Sequence, residues 1–198
     1  MYLRRFYFII LVYANLKMEY DTKDKTFWKR KGNDMKVLLG AVNAKYIHSN
    51  LAVYSLRAYA GKYAQQTEIA EYTINQTMDD ILSDIYRKKP DILCLSCYLW
   101  NILYVEQLIT EIHKVLPKMQ IWLGGPEVSY HAEEMLEQYP FLDGIMKGEG
   151  EITFRELAVY YQNQENGTEG KTLEEIHGIT YRLSLIHISE PTRLRCIS

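Results

Sequence analysis

The sequence predicts an α/β fold with a doubly wound, mostly parallel sheet of five strands. Short apolar runs alternate with amphipathic segments of 10–16 residues, and the alternation repeats five times between residues 35 and 162. The runs are almost continuously apolar, as parallel strands are when helices cover both faces of the sheet. The order of elements is therefore typical of a Rossmann-like or flavodoxin-like domain.

The five predicted strands are short and bounded by polar, glycine or proline residues. The first begins directly after Met35, and the third, DILCLSCY, follows Pro90. The second differs because polar and apolar residues alternate along it, which indicates a half-buried strand. The predicted strands are Lys36–Val42, Glu68–Ile74, Asp91–Tyr98, Gln120–Leu123 and Leu142–Met146.

Each strand is followed by a segment with apolar residues at helical spacing. Thr77 is a good N-cap, and Asp79 and Asp80 in the next turn favour the positive end of the helix dipole. Pro90 and Pro117 end the second and third helices, because proline cannot continue the hydrogen-bond ladder. The predicted helices are Ser49–Tyr63, Thr77–Lys89, Asn101–Leu116, His131–Tyr139 and Thr153–Gln162.

Charge is distributed unevenly along the 198 residues. Residues 1–34 carry a net charge of +4, residues 35–182 carry −7, and the whole chain carries −2. We interpret residues 1–34 as a non-native leader or disordered extension, because they lack periodicity until the strand that follows Met35. Residues 183–193, LSLIHISEPTR, resemble the translation of a transposase-type sequencing adapter, so residues 183–198 are predicted to be an adapter-derived tail. This leaves a domain at 35–162, and a linker with the start of a further element at 163–182.

Composition also limits the function classes. A net charge of −2 gives no electrostatic support for nucleic-acid binding. We expect no membrane span, because no run of 18 apolar residues occurs. The three cysteines form no disulfide framework, which favours a cytoplasmic location. Two of them, Cys94 and Cys97, lie three apart in a strand and therefore point to opposite faces, as buried structural residues would.

Ligands of doubly wound folds bind beyond the carboxyl ends of the strands. The first such loop has no glycine, which argues against a dinucleotide fingerprint or a phosphate-binding loop. The later ones carry paired or nearby glycines and small polar residues, which leave room for a flat ligand. The candidate binding residues at these ends are Asn43, Tyr46, His48, Ser49, Ser96, Cys97, Tyr98, Gly124, Gly125, Glu127, Ser129, Gly148, Glu149, Gly150 and Glu151.

Two other functions fit the same architecture. One is a non-catalytic signalling or interaction module such as a receiver domain, which needs carboxylates after the first and third strands. Those positions hold Asn43 and Ser96 instead, which weakens this alternative. The other is a flavin- or nucleotide-binding domain, which the missing phosphate loop disfavours. Fold alone does not decide between such functions.

Four motifs together resemble the N-terminal cobalamin-binding domain of cobalamin-dependent radical S-adenosylmethionine enzymes. They are NAKYIHSNLA (43–52), LSCYLWN (95–101), WLGGPEVS (122–129) and GEGEITFREL (148–157), in the family's order at the strand ends. The resemblance implies a cobalamin at the carboxyl edge of the sheet, with its nucleotide tail running down beside the strands. The candidate residues above would be its contacts.

The resemblance also implies further cofactors and one departure. Relatives that bind cobalt through histidine use Asp-x-His-x-x-Gly, whereas this chain has Tyr46-x-His48-x-x-Leu51. His48 is a candidate cobalt ligand, but the Asp that orients such a histidine is missing. A radical domain with a Cys-x-x-x-Cys-x-x-Cys motif, a 4Fe-4S cluster and S-adenosylmethionine would follow in the full-length enzyme. We expect this chain alone to lack catalytic activity.

Overall fold

The computed structural model describes residues 35–45, 49–184 and 187–189. Its strands form one seven-stranded sheet in the order β2-β1-β3-β4-β5-β6-β7. The first five strands run parallel to one another, β6 runs antiparallel to β5, and β7 runs antiparallel to β6. The strands are β1 Val37–Asn43, β2 Thr67–Thr73, β3 Ile92–Ser96, β4 Gln120–Gly124, β5 Gly144–Met146, β6 Ile179–Ser184 and β7 His187–Ser189.

The parallel part of the sheet confirms the predicted fold class. β1 pairs with β2 from Val37 opposite Thr67, and with β3 from Val37 opposite Ile92. The order 2-1-3-4-5 reverses direction between β1 and β3, so the helices that follow these two strands pack on opposite faces. A crevice opens at such a switch point, beyond the carboxyl ends of the strands.

Six α-helices connect or flank these strands among the described residues. They are α1 Leu51–Tyr59, α2 Met78–Lys88, α3 Ile102–Val115, α4 Pro126–Ser129, α5 Ala132–Gln138 and α6 Gly150–Asn166. Two 3-10 turns at Gly61–Gln65 and Leu173–Glu175 complete the fold. None of the helices in the described part of the chain is long and apolar enough to cross a membrane.

The predicted cap of α2 is present. The Thr77 side chain accepts a hydrogen bond from the Asp80 amide at 3.2 Å. Lys89 then ends the helix in the left-handed conformation, with φ of 46°, directly before Pro90. Residue-level signals thus determine both ends of this helix.

Two apolar cores lie on the two faces of the sheet. On one face, β1 and β3 contribute Leu38 and Leu93 against α2, α3 and α5. On the other, they contribute Leu39 and Cys94 against α1 and α6. The alternation of adjacent strand residues between the two cores explains why the strands are apolar throughout.

The structure differs from the predicted elements on the carboxyl side of the domain. α6 begins at Gly150 and runs to Asn166, whereas the prediction placed it at Thr153–Gln162. The prediction missed this first turn because glycine has a low helix propensity. The further element expected to start within residues 163–182 is the strand β6, which begins at Ile179 and extends the sheet by pairing with β5.

Candidate functional site

A cavity of about 530 Å³ opens at the carboxyl edge of the sheet, on the face that carries α1 and α6. It reaches from the switch point between β1 and β3 towards the end of β5. The wall includes nine of the residues predicted from the sequence, namely Ser96, Tyr98, Gly124, Gly125, Ser129, Gly148, Glu149, Gly150 and Glu151. Their convergence confirms that the strand ends assemble one concave surface.

The floor of the cavity is apolar and was not predicted. Leu39 and Cys94 rise from the sheet, Val53 and Leu56 face them from α1, and Met146 closes the end. In a strand that is buried on both sides, hydropathy does not tell which residues face which helix. Only the pairing of β1 with β3 shows that these side chains share one face.

Gly125 brings the turn after β4 into contact with the end of β3. Its φ is +111°, and a Cβ at this position would lie 2.4 Å from the Cys97 carbonyl oxygen. The Cys97 amide donates to the Gly124 carbonyl oxygen at 2.7 Å. The glycine pair is thus required by a close approach of protein backbone, which also sets the shape of the cavity wall.

The glycines after β5 are different. Gly148 has a φ of +72°, and a Cβ there would meet nothing within 4 Å. A Cβ on Gly150 would meet only Leu56 Cδ2, at 3.2 Å. These two positions therefore keep the cavity mouth open, which is consistent with the prediction that a ligand lies against them.

A hydrogen bond links the two helices that border the cavity. The Ser55 hydroxyl of α1 donates to Glu151 Oε1 at 2.8 Å. Glu151 also lies in the first turn of α6, where a carboxylate interacts favourably with the helix dipole. Glu151 therefore stabilises the wall in addition to lining it.

A second polar network surrounds Glu71 at the end of β2, a residue that sequence reasoning did not select. Its Oε1 accepts hydrogen bonds from Asn43 Nδ2 at 3.0 Å and from the Asn50 amide at 2.8 Å, and its Oε2 accepts one from the Tyr54 hydroxyl at 2.7 Å. Burial acts to raise the pKa of Glu71, but the hydrogen bonds, with one from Ser49, outweigh it and lower that pKa. Asn43 and Ser49 thus serve this network and do not line the cavity.

The two cysteines occupy opposite faces of the sheet, as predicted. Cys94 packs in the core beneath α1 and α6, and Cys97 packs in the other core. Burial raises the pKa of each thiol to about 12, so both stay protonated. Cys97 is fully buried away from the cavity, and the described residues contain no cluster of three potential metal ligands.

The rim of the cavity carries exposed aromatic and apolar side chains. Tyr98 stacks on Trp100 with ring centroids 4.5 Å apart. Leu99, the residue between them in the sequence, is 78% exposed. Tyr130, on the facing rim, is 87% exposed. Glu127 lies just beyond the glycine turn, where its amide donates to the Cys97 carbonyl oxygen at 3.5 Å. Tyr46 and His48 lie outside the described residues.

Comparison with known proteins agrees with this geometry. The B12 binding domain family matches residues 37–158. The 2-(S-pantetheinyl)-carbapenam-3-carboxylate methyltransferase of Streptantibioticus cattleyicolor is 40% identical over 73 residues, which cover 35% of this chain and 10% of that protein. The cobalamin-dependent radical SAM methyltransferase TokK of Streptomyces tokunonensis is 36% identical over 69 residues, which cover 35% of this chain and 10% of that protein.

A solved structure shares the fold. The cobalamin-dependent S-adenosylmethionine radical enzyme OxsB, with aqua-cobalamin and S-adenosylmethionine bound, aligns with a TM-score of 0.64 and 20% identity, over 80% of this chain and 22% of that one. The chain thus spans a tenth to about a fifth of these relatives' lengths. Because the family match extends over more than half of its residues, the chain belongs to the B12-binding domain family.

Proposed function

We propose that the cavity at the carboxyl edge receives the nucleotide tail of cobalamin, with the corrin ring above the strand ends. The observation that carries this proposal is the cavity itself. Its volume of about 530 Å³ lies within the range of small-molecule pockets, roughly 300–1,000 Å³. An apolar floor with a few polar groups at the mouth suits an aromatic base joined to a polar ribose phosphate.

The described residues fit such a ligand. Leu39, Leu56 and Met146 offer apolar contacts, and the Ser96 hydroxyl offers a polar one. Gly148 and Gly150 carry no side chain where the ring would pass. We propose the other predicted residues that line the cavity as contacts as well, namely Tyr98, Gly124, Gly125, Ser129 and Glu149, with Glu71 and Glu151 holding the walls in place. The bound cobalamin would supply cobalt-centred group-transfer chemistry.

The test is binding of cobalamin by the whole chain. Hydroxocobalamin is added to the folded protein, unbound ligand is removed by desalting, and a visible spectrum is recorded. We expect corrinoid absorbance to stay with the protein. Loss of all absorbance from protein that is folded by circular dichroism would refute the proposal.

A cavity-filling variant locates the site. Ser129→Trp places an indole in the cavity and should reduce retained cobalamin strongly. Lys118→Trp is the matched control, because it adds the same side chain at an exposed position before β4, at the opposite edge of the sheet. Equal retention by both variants would place cobalamin elsewhere.

We further propose that the domain is the N-terminal module of a radical S-adenosylmethionine enzyme, with a methyltransferase as the reaction class. The names of the two matched curated relatives and the short share of their length support this. Such an enzyme would also hold S-adenosylmethionine and a 4Fe-4S cluster in a radical domain of the same chain. Two buried free thiols, Cys94 and Cys97, support a cytoplasmic location.

The gene provides the test of this second proposal. Genomic sequence downstream of the codon for Arg182 should encode Cys-x-x-x-Cys-x-x-Cys in the same reading frame. A native frame that ends without this motif would refute the assignment to a radical enzyme. Cobalamin binding by the present chain would remain valid in that case.

A further inference from the structure

We infer that Glu71 is a positioning residue of the cobalamin site, which acts through Asn50 on the Ser96 hydroxyl. The inference rests on the proposed function and adds a residue that lines no part of the cavity. Glu71 lies on β2, the strand next to β1, and is paired with Ala41 of β1. Its side chain points to the face that carries α1, where the cavity lies.

The Glu71 carboxylate connects both ends of the segment between β1 and α1. Asn43, which donates to Oε1, is the last residue of β1, and Asn50, whose amide donates to the same oxygen, is the N-cap of α1. Tyr54 adds a third donor from α1 itself. An ionised carboxylate can accept hydrogen bonds but cannot donate them. All three groups must therefore point their hydrogens at Glu71, which fixes their orientation.

Asn50 carries this restraint to the cavity. Its Oδ1 accepts from the Ala52 amide at 3.1 Å, and its Nδ2 donates to Ser96 Oγ at 2.9 Å. The amide group is planar, and the two fixed atoms, the backbone nitrogen and Oδ1, leave Nδ2 directed at Ser96. The contact therefore spans the switch point, from the start of α1 to the end of β3.

The consequence is a directed hydroxyl at the mouth of the cavity. Ser96 Oγ already accepts a hydrogen bond from Asn50, so its own proton is available for donation. Among the described residues, the Ser96 hydroxyl takes part in this hydrogen bond as an acceptor. Ser96 lines the cavity, and its hydroxyl is thus held as a donor towards an acceptor atom of the bound ligand.

The experiment is a double-mutant cycle on cobalamin affinity in the full chain. Glu71→Ala and Ser96→Ala should each raise the Kd for hydroxocobalamin about tenfold, as loss of an orienting partner commonly does. The double variant should bind no more weakly than Ser96→Ala alone, because both changes remove one interaction. Glu71→Gln keeps an acceptor for Asn50 and should bind within about twofold of the unaltered chain. If Glu71→Ala does not fold, Glu71→Met replaces it in the cycle, because methionine fills a similar volume without an acceptor for the Asn50 amide.

Glu68→Ala is the matched control. Glu68 lies on the same strand and forms ion pairs with Lys36 and Lys88, but it faces away from the cavity. Its loss should leave the Kd unchanged. Additive losses in the double variant, or an unchanged Kd for Glu71→Ala, would overturn the inference. If the unaltered chain itself failed to bind hydroxocobalamin, the proposed function would be refuted together with the inference. Binding by the unaltered chain with no effect of Glu71→Ala would refute the inference alone.

Discussion

The side-chain amide of Asn101 donates a hydrogen bond of 2.9 Å to the carbonyl oxygen of Val42, although 59 positions separate the two residues. The same nitrogen donates to the Ser96 carbonyl oxygen at 3.0 Å, and Asn101 Oδ1 accepts from the Tyr98 amide at 2.7 Å. One buried side chain thus joins the ends of β1 and β3, the two strands that border the switch point.

Asn101→Ala should therefore lower the free energy of unfolding by about 2 to 3 kcal/mol, because buried carbonyl and amide groups lose their partner. Urea denaturation measures the effect. Asn75→Ala is the control, since Asn75 is exposed in the turn after β2, and it should change stability by less than about 0.5 kcal/mol. Equal stability of the two variants would contradict the role given to Asn101.

Gly125→Ala should destabilise the protein by at least about 3 kcal/mol, because its Cβ would overlap the Cys97 carbonyl oxygen. Gly148→Ala has a similar left-handed φ but open space around it, so its cost should be only about 1 kcal/mol. Thermal or urea unfolding of both variants checks this difference. If the two costs were alike, steric overlap at Gly125 would not be the reason for the glycine.

The same two glycines show how far the sequence predicts the site. Glycine at a strand end indicates a special conformation or a close approach, and this placed Gly124, Gly125, Gly148 and Gly150 correctly at one edge. It does not tell whether the neighbour is a ligand or another strand. For Gly125 the neighbour is the end of β3, a fact that depends on the order of strands in the sheet.

Glu71 illustrates what the sequence could not predict. It is one of two glutamates in β2, and Glu68, on the opposite face of the sheet, looks the same in the sequence. Only the 2-1-3 order of strands, together with the start of α1, brings its carboxylate to Asn50. The elements themselves were more predictable, because α2 carries its own start and stop signals in Thr77 and Pro90.

His48→Ala should leave the visible spectrum of bound cobalamin unchanged. The sequence lacks the Asp and Gly that accompany a cobalt-binding histidine, since Tyr46 and Leu51 stand in their places. Without an orienting partner, a histidine side chain is poorly held for coordination. Spectra of the unaltered and variant proteins at equal cobalamin content test this. A shift of the cobalt-dependent bands in the variant would identify His48 as an axial ligand.

Asp143→Asn should stabilise the protein at neutral pH. Asp143 Oδ2 accepts a hydrogen bond of 2.7 Å from the Ile121 amide, and burial raises the pKa of this carboxyl to about 6. The folded state therefore holds the proton more tightly than the unfolded chain, so stability falls as pH rises from about 4 to about 6 and stays lower above that range. An asparagine keeps the acceptor without the buried charge.

We expect Asp143→Asn to raise the free energy of unfolding by about 2 kcal/mol at pH 7.5 and to leave it unchanged at pH 4. The variant should also lose the fall in stability between these two pH values. Urea unfolding across this pH range provides the measurement. Asp91→Asn is the matched control: Asp91 also accepts a hydrogen bond from a backbone amide, that of Lys36 directly before β1 at 2.7 Å, but it is exposed. Water solvates its charge, so its replacement should bring no gain at pH 7.5. A pH profile of Asp143→Asn that parallels the unaltered chain would show that another group causes the decline.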